Sequence, residues 1–199
     1  AGAEAMTLCY FNPSSRYPAA SGAAKALESD RAAVAKALGC SPRELTFTSC
    51  GTESDNWAVR AAAEYGKRKG KHIITTAIEH HAVLNPVAEL EREGYEVTYL
   101  QPTDQGTVDL AELERALRRD TVLVSMMLVN NELGSVLPVK EAVQIVRSSG
   151  APALFHCDAV QAFLKVPFTP KSLGVDLLAV SGHKVHAPKG IGAMYIRNG

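Results

Sequence analysis

The sequence predicts an α/β fold, a three-layer α/β/α arrangement around a mostly parallel mixed sheet. Three observations carry that expectation. Short apolar or β-branched runs alternate with stretches of helical period. Several runs, such as 122–128, are apolar almost without interruption, as in strands buried on both faces. No repeat, low-complexity segment or Pro/Gly-rich linker divides the 199 residues, so the chain reads as one large domain.

The elements follow in order. A helix-like stretch at 19–38 precedes a strand at 45–48. A second helix at 53–69 puts Trp57, Val59, Ala61 and Ala62 near one stripe and closes on Lys67, Arg68, Lys69 and Gly70, a basic last turn followed by a stop. Strands are expected at 72–76, 96–100, 122–127, 153–156, 177–180 and 193–196. Helices are expected between most of them, at 82–93, 110–118 and 139–148. Strand–helix alternation makes the sheet mostly parallel. The loop 182–189 is too short for a helical crossover, so the last strand is expected to be antiparallel or an edge.

Composition narrows the function classes. Apolar residues make up 46% and charged residues 21%, with Lys plus Arg and Asp plus Glu both at 21. Neither a basic excess for nucleic acid nor an acidic tail is present. No apolar run reaches the roughly 18 residues of a membrane span. Residues 1–10 carry no basic region followed by an apolar stretch, so no leader is read there. Cys9, Cys40, Cys50 and Cys157 form no CxxC pair, which favours a reducing cytoplasm.

In such a sheet ligands bind beyond the carboxyl ends of the strands. The first candidate turn is Ser49-Cys50-Gly51-Thr52-Glu53-Ser54. Small residues leading into a helix expose backbone N–H groups to an anionic phosphate. The ordinary alternative is an N-cap by Thr52 or Ser54. The Walker and dinucleotide glycine spacings are both absent. After 73–77 come Glu79, His80 and His81, where a histidine can stack on an aromatic ligand or move protons, or simply cap a helix. Asn130-Asn131-Glu132-Leu133-Gly134 is turn chemistry or a pair of amides facing a ligand oxygen. Asp158, partly buried at a strand end, needs a cation: a Lys or Arg, or a protonated pyridine nitrogen. Ser181-Gly182-His183-Lys184 offers hydroxyl and ring donors and an amine nucleophile, or a surface lysine. Each feature is weak singly. Together, a phosphate cradle, a stacking His, an acid for a ring nitrogen and an amine at one sheet edge match what pyridoxal 5'-phosphate requires.

Phe47-Thr48-Ser49-Cys50-Gly51-Thr52-Glu53-Ser54-Asp55-Asn56, Glu79-His80-His81-Ala82-Val83-Leu84, Val129-Asn130-Asn131-Glu132-Leu133-Gly134, His156-Cys157-Asp158-Ala159-Val160-Gln161 and Ser181-Gly182-His183-Lys184, with Asn12-Pro13-Ser14-Ser15 ahead of them, resemble the cysteine desulfurase and selenocysteine lyase family in order and spacing. That family lies in the class V branch of the fold-type I pyridoxal-phosphate enzymes. The resemblance implies the large cofactor domain of that fold over 1–199. It implies that Lys184 carries the cofactor as a Schiff base and that Asp158 pairs with its ring nitrogen. His80 would stack on the ring and move protons. Asn130 and Gln161 would contact the ring's phenolic oxygen, and Gly51, Thr52, Ser181 and His183 would hold the phosphate. No metal is implied.

The activity implied is conversion of L-cysteine to L-alanine, with sulfur passed to an enzyme cysteine as a persulfide and on to an acceptor protein, as in iron–sulfur cluster assembly, by a cytoplasmic homodimer. Selenocysteine lyase, a cysteine sulfinate-acting enzyme and a non-catalytic fragment are the alternatives. The family's opening strand, its persulfide cysteine and its substrate-binding arginine have no counterpart here, the last two being expected beyond Gly199, 15 residues after Lys184. Cys50 and Cys157 are expected to be structural. This chain alone is therefore expected to turn over L-cysteine poorly.

Overall fold

A computed structural model describes Thr7 and residues 10–198. Cys9 and most of the region read for a leader lie outside the described residues.

The first helix, α1 (Pro18–Leu38), opens on a proline and stops at Gly39, which takes the left-handed conformation that favours glycine. A 3-10 turn at Pro42–Glu44 follows, closed by a reciprocal capping box between Ser41 and Glu44. The chain then alternates: β1 (Leu45–Thr48), α2 (Gly51–Gly66), β2 (His72–Thr76), α3 (His81–Arg92), β3 (Glu96–Leu100), α4 (Leu110–Ala116), β4 (Thr121–Ser125), α5 (Val139–Ser148), β5 (Leu154–Asp158), α6 (Pro170–Leu173), β6 (Leu177–Ser181) and β7 (Gly192–Ile196). The predicted strands are present, with ends moved by a residue or two. The short α6 was not anticipated from the sequence.

One seven-stranded sheet runs in the order β1-β7-β6-β5-β4-β2-β3. The pairs from β3 to β6 are parallel, while β7 is antiparallel to both β6 and β1. The last strand is thus antiparallel, as one of the two expected options, but it is interior, and the edges are β1 and β3. Because β7 alone is reversed, β1 ends on the same side of the sheet as β2, β4, β5 and β6. The turn after β1 therefore joins the turns after the other strands.

Alternation along each strand sorts the core into two layers. Ile74, Val124, Phe155, Cys157 and Val180 meet α1, α4, α5 and α6 on one face. Ile73, Leu123, Leu177 and Met194 meet α2 and α3 on the other. In α2 the buried residues are small: Ala58, Val59, Ala62, Ala63 and Gly66. Trp57 and Ala61, expected on that stripe, are exposed. The reason is close approach. A Cβ on Gly66 would lie 2.5 Å from Val122 Cβ, so the helix sits where a large side chain cannot fit.

Candidate active site

The turn entering α2 is built without a side-chain cap. Cys50, not Thr52 or Ser54, is the N-cap residue, and it makes no side-chain bond to the first turn. Glu53 instead reaches back, its Oε2 accepting from Ser49 N at 2.6 Å and Ser49 Oγ at 2.7 Å, and the Ser49 amide holds that carboxyl below its ordinary value. Among the described residues neither the Gly51 nor the Thr52 N–H has an acceptor, so both remain available at the positive end of a 16-residue helix. A Cβ on Gly51 would lie 2.6 Å from Val160 Cγ2 and 3.3 Å from Ser181 Cβ. Only glycine lets this helix start come so close to the ends of β5 and β6.

A cavity of about 300 Å³ opens there, lined by Cys50, Gly51, Thr52, Asp55, His80, Met127, Asn131, Asp158, Val160, Gln161, Ser181, His183 and Lys184. That volume lies at the lower end of small-molecule sites. Five separate stretches of sequence meet at this one place, the carboxyl edge of the sheet.

Asp158 is the last residue of β5 and is buried. Its Oδ1 accepts from Val160 N at 2.8 Å, and among the described residues no donor reaches Oδ2. Burial, reinforced by the nearby Asp55 carboxyl, pushes Asp158 up to about 7. A site with this carboxyl on its wall favours a cation. His80 is the N-cap of α3, its Nδ1 accepting from Ala82 N at 3.0 Å. That bond assigns the proton of the neutral ring to Nε2. His81 begins the helix and is exposed. Ser181 Oγ and His183 Nδ1 are 2.8 Å apart, linking two cavity-wall residues. Lys184 sits in the 3-10 turn Gly182–Val185 that follows β6. Gln161 is on the wall, its Oε1 accepting from Lys165 Nζ at 3.0 Å.

Asn130 is placed differently. Its Nδ2 donates to Ile78 O at 2.8 Å, and its Oδ1 accepts from Glu132 N and Leu133 N, so the side chain builds the turn. It borders an adjoining cavity of about 290 Å³ with Glu79 and His81, and it is Asn131 that lines the main one. Cys50 stands on the main wall, while Cys157 is buried on the opposite face of the sheet, where burial raises its thiol well above the ordinary value. Sequence reasoning gave no role to Asp55, Met127 or Val160, and it offered Asn131 only as one of two amides that could face a ligand. Asp55 was legible in principle, being one helical turn after Gly51 on the sheet-facing side.

Among the described residues, no group of three or more His, Cys, Asp or Glu side chains could hold a metal. The observed features fit pyridoxal phosphate: an uncapped helix start that only Gly51 permits, a buried carboxyl with a free oxygen, a histidine and a lysine around one cavity. Residues 2–199 match the family described as Aminotransferase class-V. The chain belongs to the class V aminotransferases. These are pyridoxal-phosphate enzymes, and that cofactor is the one this domain is built to take. Among class V relatives, cysteine desulfurase 2 of Trichormus variabilis is 50% identical over 194 residues, which cover 98% of this chain and 48% of that protein. Cysteine desulfurase IscS of Methanosarcina thermophila is 48% identical over the same shares. A solved NifS-like protein superposes with a TM-score of 0.96 at 43% identity, covering 99% of this chain and 54% of that one. A structure described as SspA in complex with cysteine gives 0.92 at 38% identity, covering 98% and 56%. The class V chain described here spans about half the length of these relatives.

Proposed function

We propose that this chain is the cofactor-bearing part of a pyridoxal-phosphate-dependent cysteine desulfurase, which removes sulfur from L-cysteine and leaves L-alanine. The observation that carries the proposal is the meeting of Lys184, Asp158, His80 and the uncapped Gly51–Thr52 helix start around one cavity. The relatives named cysteine desulfurase, at about half identity over nearly all of this chain, support the choice of reaction.

When bound, the cofactor supplies an electron sink for bonds broken at the substrate's carbons. Lys184 Nζ would hold its aldehyde carbon. The N–H groups of Gly51 and Thr52, with Ser181 and His183, would bind its phosphate. Asp158 would hold a proton at the ring nitrogen. A carboxyl raised by burial is neutralised more favourably by a cation placed beside it than by water, so the protonated ring nitrogen and Asp158 stabilise each other. His80, with its proton on Nε2, would stack on the ring and move protons there. Gln161 would contact the ring's phenolic oxygen, and Asn130 shapes the turn that carries Asn131 to the cavity. Transfer of sulfur to an acceptor protein for iron–sulfur cluster assembly and a homodimeric state follow from the family resemblance. Cys40, Cys50 and Cys157 are free thiols, which supports a reducing cytoplasm.

The test is direct. Mixing the protein with pyridoxal phosphate and reducing with borohydride should leave a covalent mass on Lys184, lost in Lys184→Ala. A folded chain with no adduct at Lys184 would reject the cofactor site. Sulfide release from L-cysteine by the whole protein, with alanine as co-product, tests the reaction. A faster rate on selenocysteine would reassign it.

A further inference from the structure

A row of polar side chains crosses the otherwise apolar sheet beneath α2. Thr75 pairs in register with Ser125, and Ser125 with His156. Strand alternation puts all three on the α2 face, with Asp158 two residues beyond His156 on the same face. His156 Nδ1 lies 2.8 Å from Ser125 Oγ. Its Nε2 lies 3.3 Å from Asp55 Oδ1, and among the described residues neither of these two atoms has a hydrogen-bond partner. Both residues are essentially inaccessible, and no lysine or arginine is buried among the described residues.

Two orphaned buried atoms facing each other at that distance are reconciled by one proton. A carboxylic acid donating to a neutral imidazole and a carboxylate accepting from an imidazolium both carry zero net charge. The contact therefore ties the helix to the strand without leaving a buried charge. Its place matters. Asp55 is one turn after Gly51 and Thr52, which begin α2, and it reaches the cavity wall itself. His156 is two residues before Asp158, which ends β5.

We propose that Asp55 and His156 form a strut between the two halves of the cofactor site, fixing the distance from the phosphate-binding helix start to the carboxyl that meets the ring nitrogen. Both are positioning residues. The inference rests on the cofactor reading above. A ligand held at both ends benefits from a fixed span far more than one held at a single end.

The experiment compares pyridoxal phosphate with pyridoxal, which lacks the phosphate, by borohydride trapping on Lys184 at graded aldehyde concentrations, read by intact mass. The variants are Asp55→Asn, whose amide can donate to His156 Nε2, and the double variant Asp55→Leu with His156→Phe, which removes both members of the pair and leaves only the Ser125 hydroxyl without its histidine partner. Wild type and Asp55→Asn should prefer the phosphorylated aldehyde strongly. The double variant should unfold cooperatively yet lose about tenfold of that preference. General destabilisation would weaken both aldehydes together and leave their ratio intact. A double variant with the wild-type ratio overturns the strut. So does an Asp55→Asn ratio as low as the double variant's, because charge rather than contact would then be responsible. A double variant without cooperative unfolding also overturns it, since the contact would then be required by the fold. A wild-type protein that forms no adduct rejects the cofactor reading itself, a separate and recognisable failure.

Discussion

Asp158 and Asp55 at the main cavity and Glu79 at the adjoining one are buried carboxyls, and burial raises all three, Asp158 to about 7. A carboxyl held above its unfolded value keeps its proton in the folded chain after the unfolded chain has lost it. The folded state then binds more protons, and stability falls as pH rises through that window. For Asp158 the window runs from its ordinary 3.8 to about 7. His156 works the other way. Burial lowers it to about 4 from 6.5, so its contribution to stability grows as pH rises between those values. The contribution of Asp158 to the stability of the cofactor-free protein should therefore decline from about pH 4 to 7. Asp158→Asn should flatten that decline by on the order of 3 kcal/mol while abolishing tight cofactor retention. Denaturation midpoints across this pH range check it. Parallel curves for the two proteins would mean that Asp158 does not titrate there.

At the scale of the element, α2 does two jobs with two glycines. At Gly51 it brings free N–H groups against the ends of β5 and β6. At Gly66 it lies against Val122 with no room for a Cβ. The two positions should separate in experiment. Gly66→Ala should cost about 1–3 kcal/mol in urea unfolding by overpacking, and leave the preference for phosphorylated aldehyde unchanged. Gly51→Ala should weaken pyridoxal phosphate about tenfold by pushing the helix start off Val160, with a smaller loss of stability. Similar effects of both substitutions on binding would contradict this division. The helix also explains one misreading. Hydrophobicity placed Trp57 and Ala61 toward the core, but a helix this close to a sheet buries small residues and leaves the large one outside. Period alone cannot report that separation.

At the scale of the whole molecule, the reversed strand β7 locks β1 into the sheet, and Asp176 fastens that end. Its carboxylate accepts from Phe155 N at 2.7 Å, Arg147 Nη2 at 2.5 Å and Arg197 Nη1 at 3.2 Å, joining β5, α5 and the residue after β7. Both arginines are well exposed, so the charges contribute little, and the buried Phe155 N–H left without an acceptor dominates the cost. Asp176→Ala should lose about 2 kcal/mol and speed amide exchange in β7. An unchanged exchange rate there would show that β7 is held by its ladders alone.

The alternation of elements, the parallel core and the chemistry at the strand ends are legible along the chain. Hydrophobic period and turn residues are local, and His80, Asp158 and the Gly51–Thr52 turn announce themselves within a few positions. The tertiary structure decided what depends on neighbours distant along the chain. Interior placement of β7 puts the turn after β1 beside the turns after β5 and β6. The amide of Asn130 is spent on backbone more than fifty residues away, at Ile78, leaving Asn131 at the cavity. Asp55 finds His156 a hundred residues on, across a contact where only a shared proton suits both buried groups. Such pairings arise from close packing between layers, and no local pattern encodes the distance between two layers.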